Sequence, residues 1–134
     1  MATSIVDHNI QKLETAAIDS GYHIYDALGP GLLDNVYETL LAERLTRAGL
    51  TVERQKPVSI NFDDQSFDEG FRCDLLVEGK LLIEIISVER WTSIDSQRVT
   101  TYLRLMNLPM GLLINFGAPS FKQGVKRIAN GYAT

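Results

Sequence analysis

The sequence predicts an α/β domain built on one central mixed β-sheet flanked by helices. Three observations predict it: two helical stripes at the start, strand-length apolar runs further on, and an element order of α-α-β-β-β-α-β. Two of those apolar runs are two-sided, so their strands need cover on both faces.

From Ile10 the apolar positions Leu13, Ala17, Gly21, Ile24 and Leu28 recur at three- and four-residue steps, the stripe of an amphipathic helix. Gly29-Pro30-Gly31 ends it, pairing a permissive glycine with a proline that cannot continue a helix. A helix–helix turn explains these three residues better than phosphate binding, because the P-loop pattern is absent. A second stripe runs through Leu33, Val36, Leu40, Leu41, Leu45 and Ala48 to Gly49.

The period then changes. Leu50 to Ile60 alternates and is broken by Pro57, which places that strand near an edge. Asn61 to Gln65 reads as a turn, Phe67 to Val77 as a second strand, and Glu78-Gly79-Lys80 as a tight loop. Leu81 to Val88, LLIEIISV, is the first two-sided run and reads as the central strand. Ile94 to Asn107 returns to helical spacing, and Met110 to Phe116 is another two-sided strand. The basic tail from Phe121 to Ile128 reads as a last strand or helix.

With 134 residues the chain suits a single domain, 1–134, able to bury roughly two thirds of its unfolded surface. Apolar residues at 45% and charged residues at 22% fit a globular chain and exclude a disordered one. No uncharged apolar run is long enough to span a membrane, and Asp7, Gln11 and Glu14 stand where a signal peptide needs apolar residues. The lone Cys73 excludes an internal disulfide and a multi-cysteine zinc site, and a cytoplasmic protein is expected. Next to an aspartate on a strand, it reads as a small buried residue on the opposite face. A net charge of −4 argues against indiscriminate polyanion binding, while Lys122, Lys126 and Arg127 leave room for a local basic patch.

Glu84 is the informative residue, because a carboxylate inside a buried strand needs compensation. If Glu78, Gly79 and Lys80 form a three-residue loop, Val77 faces Leu81 and Asp74 faces Glu84. Opposed like charges repel, so the pair calls for a divalent cation or a raised pKa. An ion pair from Glu84 to Arg72 or Arg98 is the structural alternative. On the following helix, Asp95, Arg98 and Tyr102 should share one face.

The stretches GPGLLDNVYETLL, FRCDLLVEGKLLIEIISVE and TTYLRLMNLPMGLLINFG together resemble the small bacterial GxxExxY proteins, a family of the PD-(D/E)XK nuclease superfamily. The resemblance runs through nearly the whole chain in the same order and implies a restriction-endonuclease-like core. Carried over residue by residue, its glycine and tyrosine fall on Gly31 and Tyr37, with Asp34 in place of the intervening glutamate. The strand motif keeps Asp74, Glu84 and Glu89, but Ile86 stands where a lysine is expected. Arg98 takes the place of the helix glutamine four residues before Tyr102, with Gln97 beside it.

What this implies is an ancestral phosphodiester hydrolysis dependent on Mg2+ or Mn2+. Asp74, Glu84 and Arg98 would be catalytic, Asp74 and Glu84 would hold the cation with Asp34 as a third ligand, and Arg98 and Tyr102 would contact a DNA or RNA strand. Losing a positioned acid–base group costs about 10²–10⁴-fold in rate, and isoleucine cannot replace lysine, so hydrolysis is expected to be weakened or lost. Two non-catalytic readings stand beside it: a nucleic-acid-binding domain, or a protein-interaction module such as a homodimer or a partner's docking site. Arg98 has a second reading too, as the cation that neutralises Glu84 or Asp74 in place of a metal.

Overall fold

The computed structural model describes residues 2–131, with side chains from Ile10 onward. Its elements are α1 (Ala2–Leu28), α2 (Asp34–Arg47), β1 (Val52–Phe62), β2 (Gln65–Val77), β3 (Leu81–Ile86), α3 (Ser93–Met106), β4 (Met110–Asn115), α4 (Phe121–Gly124) and β5 (Val125–Ala129). The strands lie in the order β1-β2-β3-β4-β5, antiparallel except for the parallel pair β3–β4 that α3 connects. The sheet is therefore mixed, with the Pro57 strand at one edge as expected.

β3 divides the core by simple alternation. Leu81, Ile83 and Ile85 face a cluster built with Leu13, Ala17 and Ile24 of α1 and Tyr37, Leu41 and Leu45 of α2. Leu82 and Ile86 face the second cluster, under Val99 and Leu103 of α3. Glu84 lies between those two in sequence and is buried at 9% exposure.

Two segments differ from the expected pattern. The β1–β2 turn narrows to Asp63-Asp64, both at positive φ, because aspartate tolerates the left-handed conformation that a two-residue hairpin demands. The basic tail is both helix and strand: one turn, α4, capped by Ser120, leads directly into β5.

The Gly29-Pro30-Gly31 turn is locked from α2. Tyr37 is fully buried, and its hydroxyl donates to Gly29 O at 2.7 Å and accepts from Leu32 N at 3.1 Å. Its ring stacks on Phe116 with centroids 4.3 Å apart. The Ser87 hydroxyl donates to Leu32 O at 2.8 Å, fastening the same turn to the end of β3. Asn115 closes that end from β4: its side chain accepts from Val88 N at 3.0 Å and donates to Val88 O at 2.9 Å.

Candidate functional site

β2 and β3 pair through Val77–Leu81, Leu76–Leu82 and Leu75–Ile83. One step further along the same register stands Asp74 opposite Glu84, as the three-residue loop predicts. Here side chains replace the backbone ladder. Asp74 N donates to Glu84 Oε2 at 2.7 Å, and Ile85 N donates to Asp74 Oδ2 at 2.9 Å. Each carboxylate thus takes a backbone N–H of the other strand at the point where the two strands part. β2 continues beside β1, and β3 continues beside β4.

The third carboxylate at this fork is Glu38 of α2, 5% exposed. Gln55 links it to the pair: Gln55 Nε2 donates to Glu38 Oε1 at 2.8 Å and to Asp74 Oδ1 at 3.0 Å. Gln55 lies in β1 between the paired residues Arg54 and Lys56, and its φ of 48° takes it out of the regular strand conformation. Arg54 Nη2 meets Glu38 Oε2 at 3.1 Å, which supplies the buried carboxylate with a charge partner.

Asp34 is placed differently. It opens α2, is exposed, and accepts from Asn35 N at 2.9 Å. It acts on Asp74 through its charge, less strongly than Glu38 one turn later. The sequence pattern did not point to Glu38 or Gln55. A usable signal was the acid four residues after Asp34 on the same helix face, next to the buried Tyr37.

Neither arginine forms the anticipated ion pair with Glu84. Arg72 pairs with Glu69, and Arg98 lies 3.6 Å from Asp95 with a half-exposed side chain. The Arg98 charge does favour the ionised form of Glu84, but burial and the neighbouring Asp74 carboxylate outweigh it and push Glu84 up to about 8. Burial raises Asp74 as well, opposed by the hydrogen bonds from Ile85 and Gln55. Tyr102, half-buried on α3, stacks on Phe71 with centroids 3.9 Å apart, and burial followed by the Glu84 charge raises its phenol. Ile86, Trp91, Phe71 and Tyr102 all pack against the cluster under α3, so an apolar residue fits where a lysine is expected. Cys73 is fully buried in that cluster, its thiol pushed up to about 11 by burial and then by Glu84.

The donors at the fork are all oxygens, which suits a hard cation. Among the described residues no three His, Cys, Asp or Glu side chains form a ready ligand set. Mg2+ needs only one or two carboxylates and keeps several waters, so Asp74 and Glu84 fit it without further protein ligands.

A family model for the PD-(D/E)XK nuclease superfamily matches residues 11–128. The mixed five-stranded sheet with flanking helices agrees with the restriction-endonuclease-like fold of that superfamily. The chain belongs to the PD-(D/E)XK nuclease superfamily. No curated protein and no solved structure matches it. No described helix is long and apolar enough to cross a membrane.

Proposed function

We propose that this protein is a nuclease-superfamily domain of the GxxExxY kind that takes a divalent cation on Asp74 and Glu84 and binds a nucleic-acid strand through Arg98 and Tyr102, with hydrolysis weakened or lost. The observation that carries the reading is the meeting of Asp74 and Glu84 at the parting of β2 and β3, each held by the other strand's backbone. A bound Mg2+ or Mn2+ would polarise a phosphate oxygen and lower the pKa of a coordinated water. The chain's own residues supply the rest. Gln55 ties Asp74 to Glu38, and Arg98 offers a guanidinium that binds phosphate but is a poor base. Ile86 neither moves a proton nor carries charge, which supports weak turnover.

Calorimetric titration of Mn2+ and Mg2+ into wild type and Asp74→Ala tests the site. Saturable binding lost in the variant supports it. Labelled DNA and RNA strands with Mn2+, against an EDTA control, then separate slow cleavage from binding alone. Absence of cation binding in wild type overturns the reading.

One observation favours the protein-interaction reading. β1 and β2 run past the end of their contact with β3 as a two-stranded ribbon, and Phe62 and Phe67 near its tip are 71% and 51% exposed. The register puts Ile60, Phe62 and Phe67 on one face of the ribbon. Sedimentation of wild type and Phe62→Ser/Phe67→Ser tests whether copies of the chain associate through it.

A further inference from the structure

We infer that Gln55 competes with the divalent cation for Asp74: its side-chain amide holds Asp74 Oδ1, the carboxylate oxygen that the backbone N–H of Ile85 leaves free for a cation, and ties it to Glu38. This inference rests on the proposed cation role of Asp74 and adds how access to it is controlled.

Both partners of Gln55 Nε2 are carboxylate oxygens, on different elements, at 2.8 and 3.0 Å. Carboxylate oxygens only accept, so the NH2 end of the amide, not its carbonyl, faces them. The two hydrogen bonds are charge-assisted and draw together two acids that would otherwise repel. A Mg2+ ion holds its oxygens at about 2.0–2.1 Å, so a cation on Asp74 Oδ1 competes with the amide N–H for the same oxygen.

The backbone is arranged for this placement. Gln55 has φ of 48°, a region that residues with a Cβ enter uncommonly, while Arg54 and Lys56 on either side keep their partners on β2. Arg72 Nη1 donates to Gln55 O at 3.3 Å and holds the departure from the strand. An unfavoured conformation retained where it aims a donor at buried acids marks a positioning residue.

The test uses two variants of the full chain, titrated with Mg2+ and Mn2+ by calorimetry and unfolded thermally in EDTA and in Mg2+. Gln55→Gly removes the amide and accepts the positive φ, so the strand retains its path. It should bind the cation about tenfold more tightly than wild type, the scale set by hydrogen bonds to charged groups, and gain more thermal stability from it. Gln55→Lys places an ammonium between the same carboxylates. It should abolish cation binding and unfold at a higher temperature than wild type in EDTA. A merely structural Gln55 predicts that both variants lose stability and that neither binds more tightly. Weaker binding by Gln55→Gly, with wild type binding normally, overturns the inference and leaves the cation site standing. Wild-type-like binding by Gln55→Lys also overturns it. No binding by wild type or Gln55→Gly overturns the inference together with the proposed function.

Discussion

Asp74 gives its backbone N–H to Glu84 Oε2 at 2.7 Å, while its own carboxylate takes the N–H of Ile85 next to Glu84. Two acids are therefore fixed side by side by the strands that carry them, and their mutual repulsion is set against the hydrogen bonds of the fork. Burial and that repulsion raise Glu84 to about 8 from an ordinary 4.5.

The sign of the resulting pH dependence follows. Between about pH 5 and 8 the folded chain holds a proton on Glu84 that the unfolded chain has released, so stability in EDTA falls as pH rises. The raised Asp74 works in the same direction at lower pH. One proton gives a slope of at most about 1.4 kcal/mol per pH unit. Urea melts at intervals from pH 5 to pH 8 should show the decline, and Glu84→Gln should flatten it. A wild-type profile that is level or rises through this range would contradict the assignment.

Tyr37→Phe should cost about 1–3 kcal/mol, because it leaves Gly29 O and Leu32 N inside the locked turn without their shared partner. The ring stack on Phe116 is retained, so the loss isolates the hydroxyl. The urea midpoint should fall with no change in far-ultraviolet circular dichroism. An unchanged midpoint would mean that the turn holds itself.

Much of this site was legible in the sequence because short-range geometry set it. The first six residues of the run LLIEIISV form the covered strand, while Ser87 and the exposed Val88 lie beyond its end, and a three-residue loop at Glu78-Gly79-Lys80 was enough to bring Asp74 opposite Glu84. Tyr37 and Gly31 were legible only as motif positions; the structure gives the tyrosine its physical role in the turn beside that glycine. Glu38 was hidden because a helical stripe reports its apolar positions, and a buried acid on α2 reads as an ordinary polar one. Gln55 was hidden more deeply. Its role depends on a left-handed residue inside a strand, and alternation of apolar and polar residues carries no trace of that. The Arg98 pairing was obscured by Asp95, one turn away on the same helix and close enough to engage it.

Cys73 should resist alkylation in the folded chain. It is fully buried, and its thiol, raised to about 11, supplies little thiolate at pH 8. Iodoacetamide followed by intact-mass measurement should show an unmodified native protein and a single adduct in urea. Rapid native labelling would mean that the cluster under α3 opens readily.

Ile86→Lys tests why turnover is expected to be weak. Ile86 shares a strand face with Glu84, two residues and about 7 Å further along, within reach of a four-carbon side chain turned back toward the acids. The isoleucine packs against the cluster that also takes Phe71, Trp91 and Tyr102, so replacing it should cost about 1–3 kcal/mol in urea. If the missing acid–base group limits hydrolysis, Mn2+-dependent cleavage of a labelled strand should rise by about 10²-fold or more. Adding Asp74→Ala to Ile86→Lys should abolish the gain, which separates it from a contaminating nuclease. Ile86→Met, similar in size and uncharged, should leave cleavage at the wild-type level. A folded Ile86→Lys protein that binds Mn2+ yet cleaves no faster than wild type would show that the lysine position is not what restrains the chemistry.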